Sequence, residues 1–318
     1  MLKLDKIQAN KIVEKLMADI PYNINIMDER GKIIASGDSA RIGERHRGAE
    51  RAINEPIILN NHILGVVGIS GEPDEVRKFT KLVRSIVLLL TEELNTQQER
   101  EKKKKQKNQF IQHLMHVDSA YSEALKLEAL ELYNLQLDDQ NHCVLTKDKR
   151  LLSSYYPGHE IFEWENCYLV ITSEPPQITK PVTEYLVISS EKATIQQMVQ
   201  EAQNTYLLLS FLQLEKAKFY QAEDFFIQGI FNFPFHIELD FFETIQTIYD
   251  EYYETVIFFA NHNLNINETS QVLHIHRNTL NYRLKRIHEL TGMDPKVWQD
   301  FWKLFYYFAY CFKERFEK

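Results

Sequence analysis

Cysteine and long apolar runs are both scarce in this chain. The three cysteines, Cys143, Cys167 and Cys311, are odd in number and far apart, so a framework of disulfide bonds is not expected. No apolar run approaches the ~20 residues that a helix needs to cross a bilayer, and the first residues lack the apolar core of a signal peptide. We therefore expect a cytoplasmic protein that makes no contact with a membrane.

The sequence also lacks the short motifs that mark many enzymes and metalloproteins. It contains no HExxH, CxxC or GxSxG pattern and no convincing pair of a catalytic acid and a catalytic base. Two pairs of histidines lie close in sequence, His113 with His116 and His274 with His276, but neither pair has a third metal ligand beside it. We therefore expect no enzyme, no metal and no cofactor.

Charge is unevenly distributed along the 318 residues. The net charge of −8 repels DNA at long range, but salt screens this repulsion beyond about 8 Å, so the local distribution matters more. Residues 261–290 carry four cations against two glutamates, a local excess of +2 in a chain whose remainder is at −10. This asymmetry suits a DNA-binding module that is attached to acidic domains.

Residues 264–292 show the pattern of a helix-turn-helix motif. They read LNINETSQVLHIHRNTLNYRLKRIHELTG, in which a tight break separates two short segments with apolar periodicity. Asn267 is a suitable N-cap for the first helix, and Val272 and Leu273 supply its apolar face. In motifs of this kind the second helix lies in the major groove of DNA.

The second helix is predicted over residues 277–290, and Gly292 suits a left-handed C-cap. Asp294 and Pro295 then predict the start of another helix. At 100° per residue, one narrow apolar stripe is formed by Leu280, Leu284 and Ile287.

The other faces of the second helix carry side chains whose chemistry suits DNA. Asparagine can pair with adenine and tyrosine can stack, whereas arginine, lysine, threonine and helix N-terminal amides bind phosphates. We predict that base edges are contacted by Asn278, Asn281 and Tyr282. We predict that phosphates are contacted by His276, Arg277, Thr279, Arg283, Lys285 and Arg286. The alternative is a helical hairpin whose cationic face is only solvated.

These residues also carry a resemblance to a known family. The run HRNTL followed by YRL and ELTG resembles the C-terminal helix-turn-helix of the PucR and sugar-diacid-regulator (CdaR) family. NINIMDERGKIIASGDSARIGERHRGA, INEPI and GVVGISGEPDEVRKF independently resemble that family's diacid-recognition domain. The two matches cover somewhat more than half of the chain, and the resemblance implies a DNA-binding regulator.

The expected fold is α+β with several domains. A PAS-like sensor is predicted over 1–95, a charged linker helix over 96–116, a small α/β middle domain over 117–235 and an all-α helix-turn-helix domain over 236–318. In the sensor we expect a helix over 3–19, strands over 23–27, 33–35, 56–59 and 63–69, a hairpin turn at 29–32 and an apolar helix over 76–94.

The middle domain is expected to begin with a helix over about 117–135 and to contain short strands and a long helix from about residue 193. The resemblance implies a degenerate cyclase-like domain here, but no GGDEF signature is present, so we expect a scaffold without catalysis. From Leu239 two helices are expected ahead of the motif. The segment VWQDFWKLFYYFAYCF after it is expected to pack in the core, with a dimer contact as the alternative.

Residues 95–109 contain no large apolar residue and include four consecutive lysines. A solvated helix or a flexible joint is one interpretation. A signalling helix that links sensor and output, with or without pairing in a dimer, is another. Direct contact of the lysines with DNA is a third.

An anionic effector would be bound by cationic and amide groups of the sensor. We predict this role for Arg41, Gly43, His46, Arg51 and Asn54, because bidentate arginine–carboxylate pairing is suited to a diacid. Family members carry an extra stretch between the GERH-like and INEPI-like segments, whereas here GERHRGAERAINEPI is almost continuous. This departure leaves the pocket smaller, open or absent.

Three hypotheses for function follow. The first is a dimeric regulator that binds double-stranded operator DNA and controls carbohydrate-acid utilisation genes in response to a small hydroxy-acid or sugar diacid. The second is a DNA-binding regulator whose trimmed N-terminal domain binds no ligand and serves dimerisation or protein docking. The third is a signalling enzyme that acts on a nucleotide through the middle domain.

Overall fold

The computed structural model describes residues 6–45, 52–59, 62–174, 182–216, 218–232 and 239–316. The chain divides into two compact units, residues 1–106 and 107–318, and each is described by itself below. Both units combine helices with a sheet, and the C-terminal part is helical, so the α+β class is confirmed. The predicted division into four domains stays a prediction.

The first unit is an antiparallel sheet with helices before and after it. Its elements are α1 (Lys6–Met17), β1 (Ile24–Met27), β2 (Ile33–Ser36), β3 (Ala52–Leu59), β4 (His62–Ser70) and the N-terminal part of α2 (Pro73–Met115). The strands lie in the order β2-β1-β4-β3. The four strands are those that the sequence predicts, although β3 begins at Ala52 rather than at residue 56. Residues 3–5 of the predicted first helix lie outside the described residues.

The hairpin between β1 and β2 is fixed by local hydrogen bonds. The Asp28 carboxylate accepts from the N–H groups of Arg30 and Lys32, both at 2.9 Å. Gly31 has a φ of +76°, a conformation that glycine adopts without strain. The predicted turn at residues 29–32 is therefore confirmed.

One face of this sheet packs against both helices. Ile24 and Ile26 on β1 lie opposite Ile69 and Val67 on β4, and all four are buried. The helices contribute buried side chains to the same cluster, among them Ala9, Ile12, Val13, Val76, Val83 and Val87. The helices thus occupy one side of the sheet, and the other side carries polar residues such as Asn25 beside the buried Met27.

Helix α2 is longer than the apolar pattern predicts. It runs without a break over 43 residues, Pro73–Met115, which corresponds to about 64 Å. The segment 95–109 is therefore helical, and the interpretation as a flexible joint is wrong. Residues 96–106 are exposed on all sides, whereas Phe110, Ile111 and Leu114 are buried in the core of the second unit.

The second unit begins with the last turns of α2 and a five-stranded sheet. Its elements are α3 (Glu123–Tyr133), β5 (His142–Thr146), α4 (Lys149–Tyr155), β6 (Phe162–Trp164), β7 (Cys167–Thr172), β8 (Leu186–Ile188), α5 (Ile195–Phe211) and β9 (Phe219–Gln221), followed by 3₁₀ turns at Ala222–Asp224 and Phe226–Asn232. The strand order is β6-β7-β5-β8-β9, and only the β8–β9 pairing is parallel. The helix expected from residue 117 begins only at Glu123, because Ser122 caps it.

The C-terminal part contains α6 (Leu239–Asn261), α7 (Ile266–Val272), α8 (Arg277–Thr291) and α9 (Trp298–Phe316). The prediction of two helices ahead of the motif is wrong, because α6 has no glycine or proline to interrupt it. The prediction of a helix start at Pro295 is also wrong. The Asp294 carboxylate accepts from the Lys296 N–H at 3.0 Å and closes a turn, so α9 begins at Trp298.

Helix α9 packs in the core, as predicted. Phe301, Leu304, Phe305 and Phe308 are all at most 4% exposed and share a cluster with α6 and α8. Helix α5 contributes Leu208 and Phe211 to that cluster and other residues to the core around the second sheet.

Two expectations from composition can be compared with the described residues. The three cysteines are free and buried. None of the helices in the described ranges combines the length and the apolar character that a membrane crossing requires.

The anchoring of α2 in the second unit can be tested with one substitution at two positions. Leu114 is fully buried, so Leu114→Ala should lower the free energy of unfolding by about 2–5 kcal/mol. Leu127 on α3, in the same unit, is 55% exposed, so Leu127→Ala should change it by less than about 0.5 kcal/mol. Urea unfolding of the full chain measures both, and similar costs would contradict this packing.

Candidate nucleic-acid interface

Helix α7 is capped by Asn265, and the prediction of Asn267 as its N-cap is wrong. The Asn265 side-chain oxygen accepts from the N–H groups of Asn267 at 2.9 Å and Glu268 at 3.3 Å. The Asn265 amide in turn donates to the Glu268 carboxylate at 3.1 Å. Two otherwise unpaired N–H groups of the first turn are thereby satisfied.

The break between α7 and α8 is a tight turn. His274 has a φ of +52°, and the Ile275 N–H donates to the Ser270 carbonyl at 3.0 Å. Leu273 and Ile275 pack against the buried cluster that α6, α8 and α9 share, but Val272 is 42% exposed. Val272 therefore does not supply the apolar face predicted for it, because the helix ends there and the chain turns away.

Helix α8 has the predicted limits and the predicted apolar stripe. The ring nitrogen Nδ1 of His276 accepts from the Asn278 N–H at 3.2 Å, and Gly292 ends the helix with a φ of +71°. Leu280, Leu284 and Ile287 are at most 1% exposed and pack in the cluster formed with α6 and α9. This burial determines which side chains of α8 face solvent.

The residues predicted to contact DNA fall into two groups by exposure. Those that are exposed are His276, Arg277, Asn278, Thr279, Tyr282, Lys285 and Arg286, and those that are half-buried are Asn281 and Arg283. Tyr282 is 66% exposed, so much of this large aromatic side chain lies in solvent. The structure thus presents most of the predicted residues on one accessible side of α8.

Arg283 differs from the others, because its side chain is held against α6. Its Nη1 atom donates to the hydroxyl of Thr255 at 3.1 Å, and Thr255 is only 1% exposed. A phosphate contact by Arg283 would compete with this hydrogen bond. Its predicted role in DNA binding stays a prediction.

The cations near the end of α8 are weakly paired within the helix. Arg286 and Lys285 lie 3.2 Å and 3.7 Å from the Glu289 carboxylate. Exposed pairs of this kind contribute at most about 1 kcal/mol, so a phosphate can replace the carboxylate.

Burial raises the pKa of Tyr252, on α6 behind this surface, to about 12, so its hydroxyl is neutral at physiological pH.

One cation beside this surface is absent from the sequence prediction. Lys296, in the turn after α8, donates from its Nζ atom to the Asn281 side-chain oxygen at 2.7 Å, and the Asn281 amide donates to the Arg277 carbonyl at 3.1 Å. Lys296 therefore adds a positive charge at Asn281. Asp294 and Pro295 predicted only the start of another helix, so the sequence did not indicate that Lys296 lies beside α8.

A second cluster of polar side chains lies on the first unit, on the sheet face opposite its helices. Asn25 lies across from Ser36 on β2 and Gly68 on β4, and Gly68 lies across from Asn54 on β3. We call this the sheet-face cluster and define it as Asn23, Asn25, Ser36, Arg41, Asn54 and Ser70.

Hydrogen bonds connect the members of the sheet-face cluster. The Ser36 hydroxyl donates to Asn25 at 2.7 Å, the Asn25 amide donates to the Ser70 hydroxyl at 3.4 Å, and Arg41 donates to Ser70 at 3.5 Å. A side chain at Gly68 would meet the Asn54 oxygen at 2.4 Å, so Asn54 lies over this glycine. Among the described residues, the buried side-chain oxygen of Asn23 finds no donor.

The structure brings together part of the predicted effector set. Arg41 and Asn54 both lie at the sheet-face cluster, whereas Gly43 is exposed with a φ of +100° and open space where a side chain would be. His46 and Arg51 lie outside the described residues. In the described ranges, no group of three histidine, cysteine, aspartate or glutamate side chains is arranged to hold a metal ion.

Comparison with known proteins gives two family matches in the order that the motifs predict. The family described as "Putative sugar diacid recognition" matches residues 4–55 and 50–114, and the "PucR C-terminal helix-turn-helix domain" matches residues 252–308. A carbohydrate diacid regulator of Escherichia coli K12 is 34% identical over 151 residues, which cover 40% of this chain and 35% of that protein. The chain belongs to the CdaR/PucR-type regulator family.

This CdaR/PucR-type chain is also similar over most of its length to two uncharacterised proteins. A protein of Haemophilus influenzae is 25% identical over 354 aligned positions, which cover 92% of this chain and 95% of that protein. The protein YsfB of Bacillus subtilis 168 is 21% identical over 347 positions, which cover 91% of this chain and 93% of that protein.

The comparisons also bear on the short CdaR/PucR-type sensor. The sugar diacid match falls into two pieces that meet at residues 50–55, where the sequence departs from the family pattern. The alignment with the Haemophilus influenzae protein is longer than the 318 residues of this chain, so that protein carries stretches that are missing here.

The cap of α7 can be tested by comparing two asparagines of this CdaR/PucR-type motif. Asn265→Ala removes the acceptor for two N–H groups and should lower the free energy of unfolding by about 0.5–2 kcal/mol. Asn267→Ala should leave it nearly unchanged, because its side chain does not cap the helix. Urea unfolding of the full chain gives both values, and a larger cost at Asn267 would assign the cap to that residue.

Proposed function

We propose that this regulator inserts α8 into the major groove of operator DNA and controls carbohydrate-acid utilisation genes in response to a small hydroxy-acid or sugar diacid. The observation that supports DNA binding most directly is the orientation of α8. Its buried stripe at Leu280, Leu284 and Ile287 leaves Asn278 and Tyr282 in solvent, together with the cations Arg277, Lys285 and Arg286. The match to a helix-turn-helix family over residues 252–308 supports the same function.

The proposed contacts separate into two chemical roles. Asn278, Asn281 and Tyr282 would contact base edges, because amide and hydroxyl groups can distinguish donors from acceptors in the groove. His276, Arg277, Thr279, Arg283, Lys285 and Arg286 would hold phosphates and set the register. Lys296 adds a further cation beside Asn281.

We propose that the protein acts as a homodimer. One short recognition helix reads only a few base pairs, whereas two helices spaced by one turn of DNA read a two-fold operator with higher affinity and specificity. The exposed Leu82 and Leu89 on α2, which are 55% and 64% exposed, provide an apolar surface that a second copy could cover.

The sheet-face cluster is the proposed effector site of a PAS-like sensor. Arg41 provides a guanidinium for a carboxylate, while Asn25, Ser36 and Ser70 provide donors and acceptors for hydroxyl groups. The name of the Escherichia coli relative, a carbohydrate diacid regulator, supports a ligand of this class.

A second candidate function keeps DNA binding but gives the first unit no ligand. Its support is the stretch missing near residues 50–55, which would leave the sheet-face cluster uncovered. In that case the first unit would serve dimerisation or the docking of another protein.

The two contact roles on α8 make different predictions for DNA binding. Asn278→Ala should relax sequence preference by about 1–3 kcal/mol at one base pair, while the salt dependence stays the same. Lys285→Ala should weaken binding to all DNA sequences equally and reduce the magnitude of the slope of log affinity against log salt by about 1. Fluorescence anisotropy with genomic fragments and bulk competitor measures both. An unchanged slope for Lys285→Ala would contradict the assigned face of α8.

The effector site can be tested by calorimetry on the full chain with glycerate, glucarate and galactarate. We expect heat from at least one of them, and Arg41→Gln should weaken its binding at least tenfold, as loss of an ionic hydrogen bond predicts (about 1.5–3 kcal/mol). Arg30→Gln, in the exposed hairpin turn, is the matched control and should have no effect. No heat from any acid would favour the function without a ligand.

A further inference from the structure

The middle of α2 carries a dense positive charge that the proposed function does not use. Residues 99–107, which we call the lysine segment, read EREKKKKQK and contain six cations against two carboxylates. This local charge of +4 contrasts with −8 for the whole chain. Residues 99–106 are all exposed.

Helical periodicity aligns several of these cations. Arg100, Lys103, Lys104 and Lys107 are spaced at i, i+3, i+4 and i+7 and therefore lie within about 100° of one another around the helix. Lys107 pairs with Glu160 and lies 5.2 Å from the ring centre of Phe162 within the second unit. It thereby holds one end of a cationic stripe in a defined place.

The other three cations of the stripe have no such partner. In the part of the chain that the structure describes, Arg100, Lys103 and Lys104 form neither an ion pair nor a side-chain hydrogen bond. Glu99 lies four residues before Lys103, a spacing that favours pairing on a helix, but the two side chains do not pair. These charges are therefore available to an external anion.

Helix stability does not explain this arrangement. Like charges at i, i+3 and i, i+4 repel one another, so the stripe weakens the helix that carries it. A rigid spacer would be more stable with alternating charges. A polyanion bound along the stripe would remove the repulsion.

We propose that the lysine segment is a second DNA-binding surface, which binds the phosphate backbone of the duplex without reading its sequence. The stripe from Arg100 to Lys107 extends about 10 Å along the helix, over which a duplex presents about six phosphate charges. Lysine and arginine without neighbouring amide or aromatic side chains suit phosphates rather than base edges.

A triple variant with a matched control on the same helix tests the proposal. R100Q/K103Q/K104Q removes three cations from the lysine segment. R77Q/K78Q/K81Q removes one arginine and two lysines, all exposed, from the N-terminal part of α2. Glutamine has a helix propensity similar to that of lysine and arginine, so both variants should keep the helix, which circular dichroism checks.

The readout is the binding of the full chain to a labelled duplex of about 40 base pairs with arbitrary sequence, followed by anisotropy between about 50 and 200 mM salt. The slope of log affinity against log salt is negative, and the loss of three phosphate contacts should reduce its magnitude by about 2.7. Over this fourfold change in salt, the unaltered chain should then lose about 40 times more affinity than R100Q/K103Q/K104Q. The control variant should retain the slope of the unaltered chain.

Two results would overturn the proposal. An unchanged slope for R100Q/K103Q/K104Q would show that the lysine segment does not contact DNA, and a changed sedimentation of the free protein would then assign it to contacts between copies. Equal reductions in both variants would show an effect of total charge. The preference for genomic fragments over bulk DNA, measured in parallel, reports on α8 separately, so failure of this proposal is distinct from failure of the proposed function.

Discussion

The orientation of α8 depends on the burial of Leu280, Leu284 and Ile287 against α6 and α9. Full burial of one such side chain contributes about 1.5–3 kcal/mol, so a rotation that exposed all three would cost a large part of the ~5–15 kcal/mol by which a domain is stable. The helix therefore presents one polar side only. The hydrogen bond from Arg283 to the buried Thr255 on α6 opposes the same rotation. Recognition of bases by a few side chains requires this fixed orientation, because amides and hydroxyls read a groove only within hydrogen-bond distance.

Local signals were sufficient for many elements of the fold and insufficient where stability comes from distant partners. The β1–β2 hairpin follows from turn chemistry around Gly31, which involves only neighbouring residues. Helix α2 is underestimated because apolar periodicity ends at Leu94, while the lysine, glutamate and glutamine residues that follow have high helix propensity without any period. Helix α4, with seven residues, and strand β9, with three, give no clear pattern of their own. Strand β9 forms because it pairs with β8, more than 30 residues earlier in the chain.

The candidate sites show the same difference. The outward face of α8 follows from its periodicity, but the choice of Asn265 rather than Asn267 as the cap of α7 does not, since both are good N-caps and the difference depends on where the chain leaves α6. In the first unit, Arg41 was predicted as a binding residue because arginine pairs with carboxylates, and Asn54 was favoured by the family resemblance. Their common position is set by the register of β3 and β4, which places Asn54 opposite Gly68 and Ser70 two residues further along. Asn25, which is buried, and Ser36, which is half-buried, were not predicted, because a polar residue inside a strand has no distinctive sequence signal.

Helix α5 joins two cores within the second unit. Met198 and Ala202 pack beneath the five-stranded sheet, whereas Leu208 and Phe211, roughly two to four turns later, pack among the helices that include α8 and α9. The ring of Phe211 lies 5.0 Å from that of Phe305, and its carbonyl accepts from the Tyr253 hydroxyl at 2.6 Å. A fragment cut between the sheet and the motif would lose this aromatic support and leave apolar surface in water. The helices α6 to α9 and the five-stranded sheet should therefore unfold in one cooperative transition. A mutation in the core under the sheet can then weaken DNA binding without changing any residue near DNA.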